Sequence, residues 1–158
     1  MKTPARFLGH PIHALSIVLP LGGLSMSVVV DILNLIDERQ IWKDSAYVLI
    51  GLGVIAGLAV AVPGLIDWLS LPRDHEAKSI GLLHAASNSI GLTLFALSWY
   101  LRYDQADNWS TAAFICSLLG ITALSGGGWL GGEMVYRHGV GMDLESDTAG
   151  SVRQRTLS

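Results

Sequence analysis

Four long stretches of this chain carry almost no charge, and a bilayer is the environment that lets all four stay folded. The first runs from about Pro11 to Ile36, with Asp31 as its only acidic residue, and the second from about Ser45 to Leu71, uncharged until Asp67. The third runs from about Ser79 to Leu101, with His84 as its only ionisable group, and the fourth from about Trp109 to Gly132 with no charge at all. Each exceeds the ~20 residues a helix needs to cross a hydrocarbon core. A soluble four-helix bundle would carry charged outer faces, which these segments lack. The chain has 158 residues, 51% hydrophobic and 15% charged, against roughly a quarter charged in soluble domains. The expected fold class is all-α, an integral membrane four-helix up-down bundle over residues 1–138, followed by a polar cytoplasmic tail over 139–158.

Lys2 and Arg6 precede the first apolar run as they would in a signal peptide. The run is too long and lacks a small-x-small cleavage site, so a retained first helix is expected. The connections Asp37 to Asp44, Pro72 to Lys78 and Arg102 to Asn108 are short, which makes sequential helices antiparallel. Lys2, Arg6, Arg73, Lys78, Arg137, Arg153 and Arg155 then share one side, and Arg39, Lys43 and Arg102 the other. That bias puts both termini in the cytoplasm of a bacterial inner-membrane protein. Trp42, Tyr47, Trp99, Tyr100, Tyr103 and Trp109 form an outer aromatic belt, with Trp68 and Tyr136 at the inner boundary. A net charge of −3 without a basic stripe excludes nucleic acid as a partner. The single cysteine, Cys116, excludes an intramolecular disulfide framework and reads as a small apolar side chain.

Each helix carries a small or polar stripe at helical spacing. These are His13, Ser16, Pro20, Gly23, Ser27, Asp31 and Asn34 in the first, and Gly53, Gly57, Val60, Gly64 and Asp67 in the second. The third has His84, Ser87, Asn88 and Gly91; the fourth has Thr122, Gly126, Trp129 and Glu133, beside Gly127 and Gly131. The stripes are expected to face inward. Close helix packing accounts for the glycines by itself, and they are also compatible with a flat cofactor against the backbone. Pro63 is expected to bend the second helix just before Asp67.

All five histidines fall on the cytoplasmic half. His10 and His13 flank the start of the first helix, His75 lies in the second connection, and His138 follows the fourth helix. His84 sits roughly 9 Å deep at ~1.5 Å per residue. Asp67 and Glu133 close the second and fourth helices on the same side. Three readings compete. In the first, His10, His13, His84 and His138 hold a metal, either haem b between two facing histidines or a non-haem transition metal. Asp67 and Glu133 then orient the imidazoles or ligate directly, and Asn88 hydrogen-bonds within the layer. In the second, the same layer opens a proton or ion path toward Asp31 and Asn34. In the third, these groups simply pair, for example Glu133 with Arg137 one turn on, in a structural or interaction subunit. His75, inside Arg73-Asp-His-Glu-Ala-Lys78, reads as a solvated loop residue. No G-x-S-x-G, phosphate-binding glycine loop or H-E-x-x-H motif is present.

Four motifs stand in order: Gly9-His-Pro-Ile-His13, Val62-Pro-Gly-Leu-Ile-Asp-Trp68, Gly81-Leu-Leu-His-Ala-Ala-Ser-Asn88 and Gly131-Gly-Glu-Met-Val-Tyr-Arg-His-Gly-Val-Gly141. Over nearly its whole length the chain resembles the bacterial membrane family catalogued as domain of unknown function 2231. The family pattern His-Pro-x-His-Pro departs here only in Ala14 after His13. The resemblance carries His10, His13, Asp67, His84, Asn88, Glu133 and His138 as motif positions and leaves His75 outside. Some relatives are fused to Rieske or c-type cytochrome domains, which implies membrane redox work by analogy. Besides lipid, the expected partner is a separate redox molecule, and a homo-oligomer is compatible with the chain.

Overall fold

The computed structural model describes residues 3–103 and 109–142. Most of the expected polar tail, and part of the last connection, lie outside these residues. A short hairpin opens the chain, β1 (Arg6–Phe7) against β2 (His10–Pro11), followed by α1 (Ile12–Ser16), α2 (Val18–Ile36), α3 (Gln40–Ser70), α4 (Glu76–Tyr103) and α5 (Thr111–Tyr136). α1 and α2 make one span, so four helical segments are long and apolar enough to cross a membrane.

The hairpin was not apparent in the sequence. Its two-residue turn puts Leu8 at φ 49° and Gly9 at φ 84°, the left-handed pair that joins tightly paired antiparallel strands. The break at Ile17 has a local cause: Pro20 has no amide hydrogen to give the Ser16 carbonyl, so the ladder pauses and resumes at Val18. α3 runs without interruption through Pro63. The helices extend beyond the apolar runs at several ends, because polar first and last turns stay helical outside the hydrocarbon. α3 begins at Gln40 and not near residue 45, α4 at Glu76 and not near 79, and α5 continues to Tyr136 and not to 132.

α2 packs closely on α3 and α4 on α5, and the α3–α4 and α2–α5 contacts close the ring. At the tightest crossing a Cβ on Gly91 would stand 3.0 Å from the Gly120 carbonyl oxygen, so any larger residue there would push α4 and α5 apart. Leu24, Val28, Ile50, Val54 and Phe95 form the buried core, with Leu92, Trp99, Ile121 and Leu124 against it.

The inward stripes of the first three spans stand as read, but that of the fourth does not. Thr122, Gly126 and Trp129 are exposed, Trp129 by 79%, while Ala113, Ser117, Gly120 and Gly127 are buried. Thr122 and Ser125 bond the carbonyls of Leu118 and Ile121 in their own helix, each at 2.8 Å. Their hydroxyls are thus satisfied without a partner helix, and the face that carries them can meet lipid.

Candidate functional site

Two histidines meet inside the bundle. His13, from α1, and His84, from α4, have ring centres 6.1 Å apart with planes at 79°. His13 Nδ1 lies 3.0 Å from the Val60 carbonyl oxygen on α3, and His84 Nδ1 lies 2.7 Å from the Gly127 carbonyl oxygen on α5. A carbonyl only accepts, so each Nδ1 carries the hydrogen and donates it. Where a ring is neutral, that bond fixes its tautomer and makes Nε2 the acceptor. The pair thereby ties all four spans together.

The two halves of this arrangement repeat. Four residues after each accepting carbonyl stands a glycine, Gly64 after Val60 and Gly131 after Gly127. A Cβ on Gly64 would come within 2.7 Å of His13 Nδ1, and one on Gly131 within 3.0 Å of His84 Cε1. These glycines make room for the rings. Each helical hairpin thus supplies a histidine on its first helix, and a carbonyl and a glycine on its second. Asn88 sits over the His84 ring, its Nδ2 3.2 Å from Nε2 and 3.3 Å from Nδ1, and donates to the His84 carbonyl at 2.8 Å. Ser87 donates to the Ala123 carbonyl at 2.8 Å, so the polar groups of α4 here are held by α5 or their own helix.

The other expected site residues go elsewhere. His10 is exposed on β2. Asp67 Oδ1 accepts the Ala5 amide at 2.8 Å and anchors the N-terminal segment. Glu133 pairs with Arg137 at 2.8 Å, one turn along α5. His138 packs on His75, with ring centres 5.8 Å apart. His75 is more than a solvated loop residue, because its Nδ1 accepts the Ala77 amide at 3.1 Å in the first turn of α4. Among the described residues, no group of three or more His, Cys, Asp or Glu could share a metal ion. The six-residue layer therefore resolves into one half-buried histidine pair and several separate contacts.

Residues read from the sequence only as boundary charges and aromatics hold this end together. Arg6 donates to the Gly141 carbonyl at 2.8 Å and, more weakly, to those of Thr3 and Gly9 at 3.1 and 3.2 Å, joining the hairpin to the segment after α5. Lys78 places Nζ 2.6 Å from the Trp68 carbonyl oxygen and 4.2 Å from the Trp68 ring centre, a cation at the C-terminus of α3.

At the opposite end Arg102 donates to both oxygens of Asp31, at 2.8 and 2.7 Å. Ser98 donates to the Ala113 carbonyl at 2.7 Å and lies 2.8 Å from Ser117 Oγ. Leu24, Ile50, Val54 and Phe95 separate this end from the histidines.

The family described as predicted membrane protein (DUF2231) matches residues 9–144. No curated protein and no solved structure matches the chain.

Proposed function

The chain belongs to the DUF2231 family of predicted membrane proteins, and from that premise we propose that it holds one transition-metal ion between His13 and His84, for membrane redox work with a separate partner. In this reading, supported by the positive-inside bias, the histidine end faces the cytoplasm of a bacterial inner membrane, residues 1–138 are the bundle domain and 139–158 its tail. One observation carries the reading: both rings bond a backbone carbonyl through Nδ1. Ligating histidines are held that way, because the bond sets the ring and raises the basicity of the other nitrogen.

Haem does not fit this pair. The spaces beside the rings are filled by protein: Gly64 by His13, Gly131 by His84, and Gly127 by the Asn88 amide, 2.6 Å from where a Cβ would stand. A porphyrin would have to separate helices that meet through those glycines. A single ion makes no such demand. Two imidazoles, each with nitrogen ~2 Å from a shared ion, would have ring centres roughly 5–6 Å apart, close to the 6.1 Å found. When bound, such an ion supplies a centre that accepts and returns one electron. The protein orients the two imidazoles, excludes carboxylates from the pair, and seals it from the far side with the apolar core. That seal also weighs against proton conduction through the same layer.

The test is an absorption spectrum and elemental analysis on one sample purified in mild detergent. A stoichiometric transition metal without a Soret band is expected, and His13→Ala and His84→Ala should each remove it. A reducible Soret band, or a metal content unchanged in both variants, would overturn the assignment.

A further inference from the structure

We infer that the chain is two copies of one helical-hairpin unit, related by a pseudo-two-fold axis along the bilayer normal, and that Asp31 against Arg102 commits each half to the other. The first unit is α1 and α2 with α3, and the second is α4 with α5. A shift of 71 residues carries the first span onto α4, and a shift of 67 carries α3 onto α5. The buried positions of α5, Ala113, Ser117, Gly120 and Gly127, then fall on buried positions of α3: Ala46, Ile50, Gly53 and Val60. In α4, buried Gly91, Phe95 and Ser98 fall on buried Pro20, Leu24 and Ser27. Contacts match as well as burial. His13 reaches the Val60 carbonyl, and His84 the Gly127 carbonyl. A Cβ on Gly53 would stand 2.6 Å from Leu24 Cδ2, and one on Gly120 would stand 2.9 Å from Phe95 Cδ2. Helical periodicity could align burial at several shifts. It does not by itself align a histidine, its carbonyl and two glycine seats at one.

The ring of helices obeys the same axis. α2 and α4 stand on one diagonal, α3 and α5 on the other, so a two-fold rotation exchanges the α3–α4 and α2–α5 seams. Repeats related by an axis along the membrane normal are a recurrent way to build a membrane fold. Two side-chain pairs join equivalent positions across this axis: His13 with His84 at one end, and Asp31 with Arg102 at the other. The first pair is alike in both halves, and the second is opposite in charge. Two first halves would set Asp31 against Asp31, and two second halves Arg102 against Arg102, each burying like charges. A first half with a second half instead closes both carboxylate oxygens on one guanidinium, so the same two residues favour the right pairing and oppose the wrong ones. Ser98 supports Arg102, its Oγ accepting from Nε at 3.3 Å. Ser27 stands in the matching place, one turn before Asp31. The units also differ at Pro20, where α4 has Gly91 and runs unbroken.

The whole chain tests both parts, whatever the histidine pair binds. Val18, Ile55, Ser89 and Thr122 are all exposed, Ser89 being the counterpart of Val18 and Thr122 that of Ile55. Spin labels are placed at these positions, two at a time, in a Cys116→Ala chain, and distances are read by double electron–electron resonance. Val18–Ile55 and Ser89–Thr122 should give one distance, and Val18–Thr122 and Ile55–Ser89 another. The second equality is the one a two-fold axis demands, and unequal distances there would overturn the duplication. Separately, Asp31→Arg and Arg102→Asp each set like charges together and should lower the unfolding midpoint in mixed micelles. Combined, they put the guanidinium beside Ser27 and the carboxylate beside Ser98, and should recover most of that loss. An exchanged chain no more stable than the worse single variant would overturn the keying. Ser27→Ala should cost more in the exchanged chain than in the native one, because the guanidinium there leans on Ser27. An equal cost would overturn the equivalence of the two positions.

Discussion

Arg102 closes a two-point ion pair on Asp31, with Nη1 and Nη2 each on a separate carboxylate oxygen at 2.8 and 2.7 Å. The pair lies at the end of the bundle away from the histidines, and the Asp31 side chain is 1% exposed. Removing one partner leaves the other charge buried and unpaired, so Asp31→Ala and Arg102→Ala should each cost about 3–5 kcal/mol. The double variant should cost less than the sum of the two. Arg102→Lys should recover only part of the loss, because a point charge cannot reproduce the planar fork. Reversible unfolding in mixed micelles measures all four. The exposed pair Arg39–Asp37, 3.4 Å apart, should change stability by about 0–1 kcal/mol when broken.

Gly64 and Gly131 predict a different pattern. A methyl group on Gly64 would meet the His13 ring at 2.7 Å, and one on Gly131 would meet His84 at 3.0 Å. Gly64→Ala and Gly131→Ala should therefore displace a ring, cost about 1–3 kcal/mol in stability, and lower bound metal. Gly128 has nothing within 4 Å of its Cβ position, so Gly128→Ala should stay within about 0.5 kcal/mol of the native chain. Equal effects of the three variants on metal content would mean that the glycines do not seat the rings.

Two side-chain contacts tie the N-terminal hairpin to the rest of the bundle, Asp67 with the Ala5 amide at 2.8 Å and Arg6 with the Gly141 carbonyl at 2.8 Å. Asp67→Ala should cost about 1.5–3 kcal/mol, the range for a hydrogen bond to a charged group. Its effect should be local, with amide exchange accelerated over residues 3–11 and little altered in α4 and α5. Arg6→Ala should expose the same residues. Uniform acceleration across the bundle would show that the hairpin is part of the cooperative core.

Much of this architecture can be read from residue type because lipid makes hydropathy decisive. Four uncharged runs leave few alternatives to four spans, and the small and polar residues of the first three spans do face inward. The fourth misleads because its glycines, serine and threonine lie on two faces. Periodicity cannot tell Gly127, which packs on Asn88, from Gly126, Gly128 and Trp129, which look outward. His13 and His84 were legible as partners because each lies on an inward stripe at the same end. The fates of Asp67 and His138 were not legible, since each depends on a contact set by chain geometry. Asp67 meets a backbone amide at Ala5, and His138 meets a ring from the far side of the α3–α4 turn. Glu133 with Arg137, four residues on, is by contrast a pair that local spacing does reveal.

Phe95 decides whether the two polar ends communicate. It is fully buried, with Leu24, Ile50 and Val54 in the same cluster, and a Cβ on Gly120 would stand 2.9 Å from its ring. Phe95→Ala should cost about 3–5 kcal/mol, because glycines at 91 and 120 have no side chains to fill the space it leaves. A cavity walled by leucine, isoleucine and valine stays dry. Proton flux in liposomes should therefore be absent from the native protein and should remain absent in Phe95→Ala, while stability falls. Phe95→Asp, which draws water into the same space, should introduce a leak if the bundle holds together at all. Flux through the native chain would mean that the apolar layer opens, and would turn the histidine pair and the Asp31–Arg102 pair into the two ends of one route.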